Sequence, residues 1–139
     1  MHNIQSPRTD DAGIEAEIQA KGLTAPRITP ADIEANITSE HYFTASQAIA
    51  GAHYQIHDAN DKGPLALLTF CVLVLKNGFT VTGESACASP ENFDADVGRK
   101  IARTNAVNKV WPLMGYQLRG MLAQKAEADA VRAQYVGPT

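Results

Sequence analysis

The chain has 139 residues, 45% of them hydrophobic and 19% charged, which suits one soluble globular domain with a core of its own. No apolar run approaches the roughly 20 residues of a membrane helix, and the polar start MHNIQSPRTDD has no signal-peptide pattern, so the sequence reads as cytoplasmic. The net charge of −3 is split: residues 1–61 carry nine acids and three bases, residues 62–139 six acids and nine bases, and a body at +3 falls well short of a nucleic-acid-binding domain.

Residues 1–28 hold one modest helical pattern, Ile14, Ile18 and Leu23 among Glu15, Glu17 and Lys21. Three apolar residues do not stabilise an isolated helix, so the stretch reads as a flexible acidic arm, ordered only where it docks. A single domain is expected over 29–126. It opens at Thr29-Pro30-Ala31-Asp32, with Thr29 as N-cap, Pro30 at the first helical position and Asp32 where a carboxylate favours exposed amides. Ile33 and Ile37 then share a face, and Ser39 to Tyr42 end the helix. Residues 46–64 read as a variable insertion, small and flexible at 45–51. A strand at roughly 52–57, with Tyr54 and Ile56 inward, completes a three-stranded meander with the hairpin that follows.

That hairpin spans 66–86. Asn77-Gly78 between two β-rich runs is a strong turn signal, because both residues tolerate positive φ. Taken as a two-residue loop, it pairs Val74 with Val81, Val72 with Gly83 and Phe70 with Ser85 on a core side. The opposite side then carries Leu75 with Thr80, Leu73 with Thr82 and Cys71 with Glu84. A strand apolar on both faces is normally covered on both, so Leu73 and Leu75 are expected to meet a partner, such as another subunit.

After Cys87 the period changes to about 3.6. A helix is predicted from Ser89-Pro90 or Asn92 through Asn108, with a ridge of Phe93, Val97 and Ile101 beside a ridge of small residues, Gly98, Ala102 and Ala106, that admits a second backbone. Trp111-Pro112 should break it, because the residue before proline is pushed out of the helical region. A second helix follows, carrying Met114, Leu118, Met121 and Leu122, and residues 127–139 read as a frayed tail. The fold class is therefore α+β, a small antiparallel sheet packed on helices.

Catalytic patterns are thin. His53 and His57 lie four apart, but in a strand that separation is about 13 Å and does not chelate a metal. Ser85 and Cys87 sit where a strand turns towards a helix, yet no histidine follows either, so a histidine partner for a nucleophile would have to reach back from upstream through the fold. Arg99, Lys100 and Arg103 make a cationic patch that is either a solvated face, with Asp96 pairing nearby, or part of an anion site at a subunit boundary.

The stretches LKNGFTVTGESACASPENFDADVGRKIARTNAVNKVWPLMGYQL (75–118) and ITPADIEANITSEHYFTA (28–45) resemble a family of small tailed-phage proteins, the gene-product-49/gene-product-66 family. The resemblance implies a phage or prophage origin and expression in the cytoplasm of a bacterial host, and it transfers no cofactor and no catalytic residues. The signature positions that packing does not demand are Glu84, Arg99, Arg103 and Asn105. With Ser85 and Cys87 they form the candidate ligand or partner site, and Leu73, Leu75, Gly98 and Ala102 form the candidate oligomer face. The expectation is a non-enzymatic accessory protein without metal or cofactor. It would act as a homo-oligomer on a host component, for example against a host defence, with no nucleic acid or membrane as partner. The alternatives are a sequestering pocket for a nucleotide or other phosphorylated signal, and a structural part of the virion.

Overall fold

The computed structural model describes residues 11–52 and 63–135. Helix α1 (Asp11–Ala20) precedes α2 (Pro30–Asn36), strand β1 (Ile37–Thr44) and helix α3 (Ala45–Ala52). After a 3-10 turn at Pro64–Leu67 come β2 (Leu68–Leu75), β3 (Thr80–Ala86), a second 3-10 turn at Pro90–Asn92 and the long helix α4 (Ala95–Tyr135). The strands form one antiparallel sheet in the order β1-β2-β3, and the fold is α+β.

Local chemistry explains the helix starts. Thr29 and Asp32 form a reciprocal capping box, each side chain bonding the other's backbone amide, with Pro30 in the first turn. Thr44 and Gln47 do the same ahead of α3, in a stretch expected to be flexible. Asp94 accepts from the Val97 amide at 3.0 Å and so caps α4, beyond both predicted starts, Ser89-Pro90 and Asn92.

Three expectations are corrected. The third strand is β1, running straight on from α2. The predicted strand at 52–57 falls on the last residue of α3 and otherwise lies, with Tyr54, Ile56, His53 and His57, outside the described residues. Helix α4 does not stop at Trp111-Pro112 but passes through Pro112 as a single helix to Tyr135. Pro112 is exposed, so its missing amide frees a carbonyl that water can reach, and the cost of about 3 kcal/mol is offset by packing on either side.

The third correction is the hairpin register. Leu75 accepts from the Gly78 amide at 2.9 Å and donates to the Phe79 carbonyl at 2.8 Å, while Gly78 has φ +87°. The loop is therefore three residues, Lys76-Asn77-Gly78, ending in a left-handed glycine. Relative to a two-residue loop this moves the pairing by one: Leu73 lies opposite Val81, Cys71 opposite Gly83 and Phe70 opposite Glu84. Every β2 side chain changes face. Cys71, Leu73 and Leu75 are buried, Leu73 completely, whereas Phe70, Val72 and Val74 lie on the other face and are half-buried.

The core sits between the inner face of the sheet and α4. Cys71, Leu73, Leu75 and Val81 meet Ala102, Ala106, Val107 and Val110, with Ile33 of α2 closing one side. A Cβ built on Gly83 would stand 2.1 Å from the Ala102 carbonyl oxygen and 2.3 Å from the Ala106 amide nitrogen. The small-residue ridge of α4 therefore does admit a second backbone, and that backbone is β3 of the same chain. Gly98 likewise faces Thr69. The candidate oligomer face of Leu73, Leu75, Gly98 and Ala102 is thus the two sides of one intramolecular interface.

Candidate functional site

The residues singled out from sequence fall at three places around α4. At the β1 edge, Arg103 reaches out of α4 to hold two carboxylates. Its Nη1 and Nη2 donate to both oxygens of Glu34 at 3.1 and 2.7 Å, and its Nε donates to Glu40 at 2.6 Å. Glu34 belongs to α2 and Glu40 to β1, so one guanidinium ties three elements together through its fixed fork of donors. The Tyr42 hydroxyl donates to the same Glu40 oxygen at 2.9 Å. Contact with Arg103 holds the Glu40 carboxyl below the usual range, and burial, aided by Glu40, raises the Tyr42 phenol. Cys71, buried behind Tyr42, is raised mainly by burial. It is a core thiol, poorly suited to act as a nucleophile.

At the β3 edge, Asn105 donates from Nδ2 to the Glu84 carbonyl at 2.8 Å. This fastens β3 to α4 one residue from the close approach at Gly83. The Glu84 side chain itself points to the outer face, exposed, with only a long contact of 3.4 Å from the Thr82 hydroxyl.

The third place is a shallow cleft at the start of α4, lined by Ser85, Cys87, Asn92, Asp94 and Ile101 among others. Its free space of about 30 Å³ is on the scale of a water rather than a metabolite. Cys87 donates through Sγ to the Ser89 carbonyl at 3.2 Å. His41, the one histidine among the described residues, bonds Ser39 at 3.1 Å and lies with it on the outer face, away from Ser85 and Cys87. Arg99 is paired with Asp96 one turn earlier on the same helix. The cationic patch is therefore divided, with Arg99 and Arg103 each facing carboxylates of their own chain. Among the described residues no group of histidine, cysteine or acidic side chains is placed to hold a metal.

Sequence reasoning did not pick out Glu34, Glu40 and Tyr42 as partners of Arg103, nor Gly83 as the point of closest approach. Gly83 carried a readable signal, since a glycine inside a strand often marks a close backbone contact. The Arg103 clamp had none, because its members lie more than sixty positions apart.

Taken together these features define a small α+β protein whose polar signature residues fasten strands to one long helix. The chain matches the family described as Phage protein (N4 Gp49/phage Sf6 gene 66) family over residues 28–122, and it belongs to that family. The match runs from the approach to α2 to Leu122 and includes both stretches that carried the resemblance. No curated protein and no solved structure matches the chain. No helix among the described residues is long and apolar enough to cross a membrane.

Proposed function

We propose that this phage protein is a non-enzymatic accessory protein. It works by binding, assembles as a homo-oligomer and engages a component of the host cell from within the host cytoplasm, where it can act against a host defence. One observation carries the reading: α4 continues far past the sheet. From Ala123 to Tyr135 every residue is exposed, and Leu113, Tyr116, Met121, Val131 and Tyr135 are large apolar or aromatic side chains left in solvent. An apolar stripe on a helix with no core beneath it is a surface for a partner. The alternative of a pocket for a phosphorylated ligand has less support, since Arg103 is committed to Glu34 and Glu40 and the cleft near Ser85 is water-sized.

Light scattering on the eluting full chain tests the assembly. A mass at a multiple of 14.9 kDa is expected, and a monomer at 14.9 kDa would remove the oligomer from the reading. Capture from host lysate with the native chain and with Tyr116→Ser/Met121→Ser tests the host component. A host protein retained by the first and lost with the second supports binding through α4. Abundant copies in purified virions would support a structural role instead.

A further inference from the structure

The two unsatisfied surfaces of this chain are of opposite kind. One is a sheet face with no helix of the α4 type on it: Phe43, Phe70, Val72 and Val74, with the Phe43 and Phe70 rings stacked at 5.5 Å. The other is a helix with no sheet under it, the second half of α4, whose stripe runs Leu118, Met121, Leu122. On the inner side the same chain shows how such surfaces combine, since the first half of α4 lies across Cys71, Leu73 and Leu75.

We propose that the outer sheet face of one copy receives the second half of α4 from another copy; this rests on the homo-oligomer reading above. Length permits it: the Leu118–Leu122 stripe covers about 7.5 Å at roughly 1.5 Å per residue, within the roughly 26 Å of the eight-residue β2 at about 3.3 Å per residue. The helix cannot serve its own sheet, because α4 is continuous and its first half is already seated on the opposite face. Charge agrees as well. Glu84 is the carboxylate at the β3 margin of the outer face, and its side chain meets no cation among the described residues. Arg119 flanks the Leu118–Leu122 stripe, exposed and likewise without an ionic partner among the described residues. Exchange between two copies gives the same contact twice and closes as a dimer.

The test is a charge swap in the full chain, read by light scattering at several concentrations. Glu84→Arg alone and Arg119→Glu alone should each weaken assembly at least tenfold in dissociation constant, and the two together should recover most of it. Val72→Cys and Met121→Cys in a Cys87→Ser background should cross-link between chains under mild oxidation when both are present, and neither alone should do so in this way. An oligomer that loses its mass on Met121→Ser yet is indifferent to Glu84→Arg and gives no Val72–Met121 cross-link overturns the proposal in favour of helix-on-helix assembly, while leaving the oligomer reading standing. A native chain that is monomeric at all concentrations overturns both.

Discussion

The two halves of α4 differ in what makes them helical. Up to Met114 the helix is held from outside: Gly98, Ala102, Ala106, Val107 and Val110 are buried against the sheet, and Arg103 and Asn105 bond neighbouring elements. That half includes a glycine, β-branched valines and, at its end, Pro112, none of which favours a helix by itself. Beyond Leu122 nothing described lies underneath, but the sequence AQKAEADAVRAQY has five alanines, strong helix formers between them and a Lys125–Asp129 pair at 2.8 Å. One half is helical because it is packed, the other because of its own residues. Substitutions should therefore act on fold stability in the first half and on association in the second.

The largest contrast is between two glycines. Gly83→Val should prevent folding or cost more than about 3 kcal/mol in urea denaturation, because its Cβ meets backbone atoms of α4 that no rotamer change can move. Gly120, with open space around it, should behave oppositely, as described last. Next, Leu73→Ala, at a fully buried position, should lose about 2–5 kcal/mol, whereas Met121→Ala should change the stability of the folded chain by no more than about 0.5 kcal/mol. Equal effects at the two positions would erase the distinction between the halves.

Arg103→Met should cost about 1–2 kcal/mol at neutral pH, discounted because Glu34 and Glu40 are each more than a third exposed. Its pH dependence is specific. The Glu40 carboxyl titrates lower folded than unfolded, so its share of stability is complete above the ordinary value of 4.5 and is lost as pH falls through the folded value. Denaturation midpoints of the native chain and Arg103→Met should stay apart from pH 7 to 4.5 and converge as pH falls further, and curves that remain parallel below 4.5 would show that Arg103 packs rather than pairs. The smallest effect is Gly120→Ala, which should raise stability by up to about 1 kcal/mol through helix propensity alone.

Much of this was legible beforehand, for reasons that differ by element. Local chemistry announced the start of α2 and the position of the hairpin turn, since a Thr-Pro-x-Asp cap and an Asn-Gly pair act over four residues. The α+β class followed from the change of period after Cys87. The inward face of β3, Val81 and Gly83, was also readable from its alternation with Thr80, Thr82 and Glu84. The face of β2 was not, because LTFCVLVL is apolar at both parities and Lys76-Asn77-Gly78 is compatible with a loop of two residues or three. β1 was hidden because ITSEHYFT carries polar residues on both sides. Of the candidate site, the sequence identified which polar residues were unusual but not what they bind, and Arg103 and Asn105 proved to be fasteners between elements distant in sequence.

Gly83 also bears on how the chain avoids a wrong answer while folding. A strand apolar on both faces could dock either one on α4 with similar gain, so hydrophobicity alone leaves two nearly degenerate hairpins. If β3 slid or flipped, a Thr82 or Glu84 side chain would be driven into the Ala102–Ala106 backbone, where only hydrogen fits. The missing side chain thus works as a lock-out against any hairpin that turns β3 over, raising the energy of that competitor rather than lowering that of the native state, whereas a slip that turns over β2 alone keeps Gly83 inward.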